Sequence, residues 1–315
     1  MPTYLVTGAM GCIGSWVMHH LVTRGAQVVS FDLGDDRRRL DLLMSHEAQQ
    51  AIAFEQGDLR DGDRINALVE KHKVDRIIHL AALQVPFCKA DPVMGAAVNV
   101  VGTVNVFEAA RKFNIPHIAY ASSVAVFGPP SSYPNGLISD AALTDPHTLY
   151  GVYKVANEGT ARVYWQDHQI SSTALRPYTV YGVGRDQGMT SEPTKAMLAA
   201  VKGEAYEIGF SGTMQFQLAS DIARYFIQAA DRAGDGALTL NIGTEAYSVA
   251  AVVDHIKAVK PGADIRFKQN DLPFPEGFTG EALKAYLPDF QETSLEAGIA
   301  QTIAHFERSV AAGLL

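Results

Sequence analysis

The chain has 315 residues, 47% of them apolar and 19% charged, with a formal net charge of −8. That composition belongs to a globular protein able to bury a large core, and it excludes disorder, collagen and coiled coil. The acidic balance, with no basic block longer than Arg37-Arg38-Arg39, argues against a nucleic-acid or anionic-membrane partner. Two cysteines, Cys12 and Cys88, are too few to staple a chain of this length and point to a reducing compartment. MPTYLVTGAMG at the start carries no signal-peptide pattern, and no 18-residue apolar stretch stands out. The expectation is a cytoplasmic protein without a membrane span.

Strands and helices alternate from the first residues. TYLVTG (3–8) reads as a strand running into a glycine turn, and 12–25 as a helix ending at Gly25. Strands follow at 27–32 and 51–58, then a helix over 61–72 and a strand at 76–82. A helix is predicted over 93–113, starting after Pro92, then a strand at 117–123, a helix over 148–168 and a strand at 172–177. Near-continuous apolar strands separated by helices predict an α/β fold, a Rossmann-type doubly wound parallel sheet covered on both faces.

The texture changes after Pro177. Gly182, Gly184 and Gly188 punctuate a loop, followed by a helix over 192–202 and a strand at 215–219. Ser220-Asp221 reads as the cap of a helix to about 233, 238–243 as a buried strand, 264–278 as loop, and 293–310 as a closing helix. The predicted division is a sheet domain of 1–177 with a returning segment at about 215–244. A smaller C-terminal substrate-binding region, 178–214 and 245–315, completes it.

A strand, then Thr7-Gly8-Ala9-Met10-Gly11-Cys12-Ile13-Gly14, then a helix, is the layout of a dinucleotide site. Gly8 allows the tight turn, Gly11 lets the backbone approach a pyrophosphate, and Gly14 permits close helix–strand packing. The pyrophosphate would sit on free N–H groups at the helix start. The spacing is G-x-x-G-x-x-G rather than the commoner G-x-G-x-x-G. Asp32 ends the second strand 18 residues after Gly14, where a carboxylate takes ribose hydroxyls and repels a 2′-phosphate, favouring NAD over NADP. Arg37, Arg38 and Arg39 have two readings, contact with a 2′-phosphate or a solvated loop face. Neighbouring Asp35 and Asp36 favour the second. Asp58-Leu59 is placed for the adenine, and Leu80-Ala81-Ala82 for the cofactor path; either set also reads as core and turn.

Tyr150 and Lys154 lie four apart near a helix start and share one face. An ammonium near a phenol favours the phenolate, which makes Tyr150 a candidate base for an alcohol proton. Tyr153 reads as packing. Ser123 closes a buried strand at the carboxyl edge, where open parallel sheets bind ligands, and its hydroxyl can hold the substrate oxygen against Tyr150. Neighbouring Ser122 alternates to the other side. No metal centre is expected, because the ten histidines show no ligand spacing beyond His19-His20.

These residues together resemble the extended short-chain dehydrogenases/reductases, the NAD-dependent epimerase/dehydratase family. The likeness rests on TGAMGCIG, Asp32, GDL (57–59), HLAA (79–82), NVVGTVNVFEAAR (99–111), ASSVAVFG (121–128), YGVYK (150–154) and LRPYTVYG (175–182). It covers about the first 180 residues, with a weaker match at SLEAGIAQTI (294–303). The resemblance implies NAD-linked hydride transfer by Ser123, Tyr150 and Lys154. It implies too that the Cys12 and Ile13 N–H groups meet the pyrophosphate, that Asn99 lies near the cofactor, and that Pro177 and Val180 lie near its nicotinamide amide. Helices 93–113 and 148–168 often pair across a homodimer in such proteins.

Departures from the family pattern narrow the chemistry. Dehydratases place Asp-Glu after the residue matching Ser123; here Val124 and Ala125 stand there, so water elimination has no proton handlers. Nucleotide-sugar epimerases carry an arginine that clamps the pyrophosphate, where this chain has Met214. Gln215 and Gln217 then offer amides in place of a charge, Gln84 lies in a pocket loop, and Arg185 is placed to meet a carboxylate or phosphate, or is simply surface. The reading is an NAD-dependent oxidoreductase acting on a secondary alcohol of a small polyhydroxylated compound such as a sugar or sugar acid. A nucleotide-sugar epimerase that retains NAD is the alternative. A non-catalytic NAD-binding sensor is disfavoured, since serine, tyrosine and lysine are all present.

Overall fold

The computed structural model describes residues 1–133, 136–232 and 234–315. The strands in chain order are β1 (Thr3–Thr7), β2 (Gln27–Asp32), β3 (Ile52–Gln56), β4 (Arg76–His79), β5 (His117–Ala121) and β6 (Ser171–Arg176). Then come β7 (Thr179–Tyr181), β8 (Tyr206–Ile208), β9 (Thr213–Leu218), β10 (Ala237–Asn241), β11 (Ala246–Ser248) and β12 (Ile265–Phe267). Seven of them form one parallel sheet in the order β10-β6-β5-β4-β1-β2-β3. The strand order reverses between β1 and β4, where Thr7 pairs with His79. A crevice at their carboxyl ends is where such sheets take ligands.

The apolar strands follow from burial on both faces. Tyr4, Val6 and Leu175 pack under the helices Cys12–Thr23 and Ala219–Asp231 with Met18, Leu21, Ile222 and Phe226. On the other face, Leu5, Ile118 and Ala174 meet Ile65, Leu68, Val106, Phe107 and Ala161 from Gly62–His72, Gly102–Lys112 and Leu149–His168. Period-two alternation along β1 therefore feeds two cores.

The helix expected over 93–113 is interrupted. Pro92–Ala96 gives way to a π turn, Ala97–Val101, before Gly102–Lys112 resumes. The cause lies at Asn99, whose carbonyl accepts from the Asn157 amide at 3.0 Å and from Thr103 Oγ1 at 2.7 Å. Side chains entering the ladder are a recognised source of such bulges. Contrary to the sequence reading, Pro92–Lys112 is apolar and long enough to cross a membrane by mean hydropathy, 1.4. Here Val106, Phe107, Ala109 and Ala110 are fully buried in the core, and a buried core helix passes the same test.

The C-terminal third departs further. β9 does not join the main sheet: it lies between β7, parallel, and β11, antiparallel. The helix Ala219–Asp231 then packs on the main sheet, which the chain re-enters as a strand at β10. The helix Ala219–Asp231 is entered from Leu218 without a side-chain cap, so Ser220-Asp221 is not its cap. Ser220 Oγ meets His20 Nε2 at 2.9 Å, and Asp221 accepts from Thr293 N–H at 2.7 Å. Position 233, the expected end, falls outside the described residues. Helices Val249–Val259 and Glu281–Tyr286 and the β8–β12 pair had no counterpart in the sequence reading. A third core of Met197, Ile208, Phe216, Val252, Ile256, Ile299 and Phe306 holds this region together.

Candidate active site

The glycine turn is built by exclusion. Gly8 has φ +69°, and a Cβ there would lie 2.6 Å from the Ala81 nitrogen. At Gly14 a Cβ would fall 2.1 Å from the Gly8 carbonyl oxygen, and Gly11 N–H closes the turn on that same oxygen at 3.0 Å. The helix start at Cys12 has no side-chain cap. The N–H groups of Cys12, Ile13 and Gly14 therefore have no acceptor among the described residues. This cradle fits a pyrophosphate.

Asp32 stands at the end of β2 and accepts from Met10 N–H at 2.9 Å, which brings its carboxylate to the rim of the same turn. Arg39 is neither a solvated residue nor free for a 2′-phosphate. It donates to the Met10 carbonyl at 2.9 Å, to the Gly184 carbonyl at 3.1 Å and to Asp186 at 2.6 Å. Arg38 pairs with Asp36, and Arg37 covers the Phe54 ring at 3.5 Å. The Asp58 carboxylate is held by Arg60 at 2.6 Å, which lowers its pKa, while Leu59 is buried against Gly102. Leu80 N–H donates to the Thr7 carbonyl, and Ala81 N–H to Thr7 Oγ1 at 3.3 Å, so 80–82 run along the turn. Asn99 is buried. Its amide takes the Leu83 N–H at 2.7 Å and the Leu83 carbonyl at 2.9 Å, fixing the loop that continues from Ala82.

Ser123, Tyr150 and Lys154 come together at the end of β5. Ser123 opens a short 3-10 turn, its Oγ accepting from Ala125 N–H at 3.1 Å, and its hydroxyl lies near enough to the Tyr150 phenol to favour the phenolate. Gly151 lets the helix approach this turn, since a Cβ there would strike the Ala125 carbonyl at 2.1 Å. Lys154 is buried, donates to the Ala121 carbonyl at 2.7 Å and lies 5.5 Å from the Tyr150 ring centre. Burial pushes the Tyr150 phenol up to about 12, against the neighbouring Ser123 hydroxyl and the Arg185 charge, which both pull it down. Burial also brings the Lys154 ammonium down to about 8. The lysine pull expected from the sequence is not what sets the phenol here: burial dominates, and the opposing influences are Ser123 and Arg185. Tyr153 packs, with its hydroxyl on the Pro92 carbonyl at 2.9 Å.

On the substrate side, Gln84 Oε1 and Arg185 Nη2 flank Gly188, each about 3 Å from where its Cβ would stand. Arg185 also acts electrostatically on both Cys12 and Tyr150. Its only side-chain hydrogen bond among the described residues is to Thr190, at 3.4 Å, and its Nε is buried without a partner. Met214 is buried and its sulfur accepts from Thr179 Oγ1. The amides expected to replace its charge are spent: Gln215 binds the backbone of Thr244 and Phe278, and Gln217 that of Tyr178 and Ile242. Buried amides take backbone partners because an unpaired one is costly. Pro177 accepts from Val124 N–H at 3.2 Å, and Val180 is buried in the core. No grouping of three metal-ligand side chains exists among the described residues.

The family model for the NAD-dependent epimerase/dehydratase family matches residues 4–243. An uncharacterised 37.6 kDa protein of Escherichia coli is 32% identical, covering 87% of each chain. The UDP-glucose 4-epimerase of Mycolicibacterium smegmatis is 32% identical over 76% of each. Among solved structures, MoeE5 in complex with UDP-glucose and NAD superposes with a TM-score of 0.79 at 28% identity, covering 98% of this chain and 99% of that one. The L-threonine dehydrogenase of Clostridium difficile reaches a TM-score of 0.87 at 21% identity, over 98% of both, a likeness of fold. An α/β chain with a parallel sheet and a glycine cradle at its switch point is a dinucleotide-binding protein. This chain belongs to the NAD-dependent epimerase/dehydratase family, and its cofactor is NAD.

Proposed function

We propose that the protein oxidises a secondary alcohol of a small, anionic, polyhydroxylated compound such as a sugar acid, using NAD. The observation that carries this reading is the Tyr150 phenol flanked by the Ser123 hydroxyl and, 5.5 Å from its ring centre, by the Lys154 ammonium, at the carboxyl end of the parallel sheet. Gly8, Gly11, Cys12, Ile13, Gly14 and Asp32 would hold the cofactor, with Leu80 to Ala82 and Asn99 shaping its path. When bound, NAD supplies the hydride acceptor and, in its oxidised form, a positive charge that favours the phenolate. Ser123 holds the substrate hydroxyl, Tyr150 takes its proton, and Lys154 keeps the phenol oriented and supports its ionisation.

Arg185, with an unpartnered Nε and with Nη2 facing Gly188 as Gln84 Oε1 does, suits a substrate carboxylate or phosphate. Met214 makes no clamp for a nucleotide diphosphate. A second reading, an epimerase of nucleotide sugars, draws support from the UDP-glucose 4-epimerase relative. To separate them, purified protein with NAD is presented with sugar acids, free sugars and UDP-, dTDP- and GDP-sugars. NADH release on a sugar acid supports the first; epimerised nucleotide sugar without net NADH replaces it with the second. We also propose a cytoplasmic homodimer pairing through Pro92–Lys112 and Leu149–His168, which expose Val93, Val101, Val152 and Val163. No nucleic-acid or membrane partner is proposed.

A further inference from the structure

The helix Leu149–His168 presents Tyr150, Lys154 and Glu158 on successive turns, each facing a different residue at the end of β5, and the last two are bonded to theirs. Tyr150 lies beside Ser123, Lys154 donates to the Ala121 carbonyl at 2.7 Å, and Ser122 Oγ donates to Glu158 Oε1 at 2.5 Å. Glu158 is tied in turn to β6: Arg176 donates from Nε at 2.8 Å and from Nη2 at 2.7 Å, one bond to each carboxylate oxygen. Arg176 Nη1 continues to Asn241 Oδ1 on β10 at 3.2 Å and to the Asp140 carbonyl. Ser122, Glu158 and Arg176 are all buried.

A buried ion pair is a weak source of stability, because desolvation offsets most of the attraction, and an apolar pair of similar volume would pack as well. What this one provides is register. One carboxylate joins the catalytic helix to the ends of β5 and β6, and through Arg176 to β10. Charge-assisted bidentate bonds carry the directionality for that. We propose that Glu158, gripped by Ser122 and Arg176, is a positioning residue that sets the catalytic helix at the height where Tyr150 reaches Ser123. The inference rests on the catalytic reading of Ser123, Tyr150 and Lys154.

The same carboxylate has an electrostatic consequence. Lys154 is faced by Tyr150 and Glu158 on its own helix, by Cys88 on Val85–Ala90 and by His79 on β4. Burial holds His79 neutral, with a pKa down at about 3. Glu158 and Cys88 oppose the burial that depresses the Lys154 ammonium. Without the Glu158 charge, Lys154 loses its proton at lower pH still.

The test uses full-length Ser122→Ala, Ser122→Thr and Glu158→Gln, with NAD and whichever substrate the panel identifies. Ser122→Ala keeps the ion pair, and its kcat should fall about tenfold while KM and the NAD dissociation constant stay within about threefold. Ser122→Thr, which keeps the hydroxyl, should restore turnover. Glu158→Gln should move the alkaline limb of the kcat profile to lower pH, whereas Ser122→Ala leaves it in place. Parent-like kcat in Ser122→Ala overturns the proposal, and does so even if Glu158→Gln fails to fold. Tyr150→Phe runs alongside. Activity retained there sinks the catalytic reading itself, while an inactive Tyr150→Phe beside a parent-like Ser122→Ala sinks the positioning role alone.

Discussion

Arg39 reaches across 29 residues to hold the carbonyl of Met10 at 2.9 Å, inside the glycine turn. The same guanidinium binds Gly184 and Asp186 in the loop that carries Arg185. The glycine turn and the Arg185 loop are therefore braced by one side chain, and the basic run 37–39 is occupied with structure rather than offered to a phosphate.

Cofactor preference follows. With Asp32 at the rim of the turn and Arg38 and Arg39 engaged, NAD should bind at least about tenfold tighter than NADP. Asp32→Ser should narrow that gap. Titrating tryptophan fluorescence with each cofactor measures it, and tighter NADP binding in the parent would falsify the role given to Asp32.

Turnover should depend on the phenol. Tyr150→Phe is expected to lose about 10²–10⁴-fold in kcat, the worth of a positioned general base, with NAD binding kept. Lys154→Met should weaken both. Because the Lys154 ammonium titrates near 8 in this structure, the parent's NAD affinity should decline as pH rises past 8. Lys154→Arg, if it binds, should lose that decline; a flat parent profile from pH 7 to 9.5 counts against a role for the lysine charge.

Stability should also fall on the acid side, in two windows. Burial lowers His79 to about 3, and His20 and His117 to about 4. Below pH 6.5 the unfolded chain takes up protons that these buried rings refuse, so stability declines until the folded values are reached. Glu55 is lowered to about 2 chiefly by Lys71, His72 and Arg64. Its contribution is whole above 4.5 and is lost as pH falls through 2. Urea melts at pH 7, 5.5 and 4.5 should show a falling midpoint, less steep in His79→Gln; identical midpoints would contradict the first window.

Much of this was legible in the sequence where the signal is local. The glycine turn, the apolar strands β1 to β6 and the helix starting at Leu149 depend on turn chemistry and periodicity within a few residues. Tyr150 and Lys154 sit one turn apart on any helix. What was not legible depends on distant partners. The π turn at Ala97–Val101 needs Asn157, the role of Arg39 needs Gly184 and Asp186, and the fate of Gln215 and Gln217 needs the backbone at 242–244 and 278. Ser122 looked like a residue on the wrong side of a strand end. Its partner Glu158 lies 36 residues on, with no spacing rule to join them.

Two glycines in helices should respond oppositely to alanine. Gly14→Ala puts a methyl 2.1 Å from the Gly8 carbonyl and should destabilise by about 1–3 kcal/mol while weakening NAD binding. Gly159, inside Leu149–His168, has no neighbour within 4 Å of a built Cβ. Gly159→Ala should stabilise by about 0.5–1 kcal/mol. Thermal melts of the two variants report both signs.

Substrate charge is the last expectation, and Arg185 is where it is decided. Its Nε is buried without a partner, an arrangement that costs free energy unless a ligand completes it. Gln84 across Gly188 adds an amide, and the Tyr150 phenol feels the guanidinium charge. A carboxylate or phosphate lying here would take two parallel N–H bonds and leave its hydroxyl to Ser123 and Tyr150. Arg185→Met should therefore raise KM for an acid substrate by about tenfold or more, the worth of a charge-assisted hydrogen bond, with a smaller change in kcat. For the matching neutral amide or alcohol, parent and variant should differ little. Arg185→Lys keeps the charge but loses the fork, and should fall between the two. Equal loss on acid and neutral substrates would make Arg185 a brace for its loop, and the anionic substrate class would go with it.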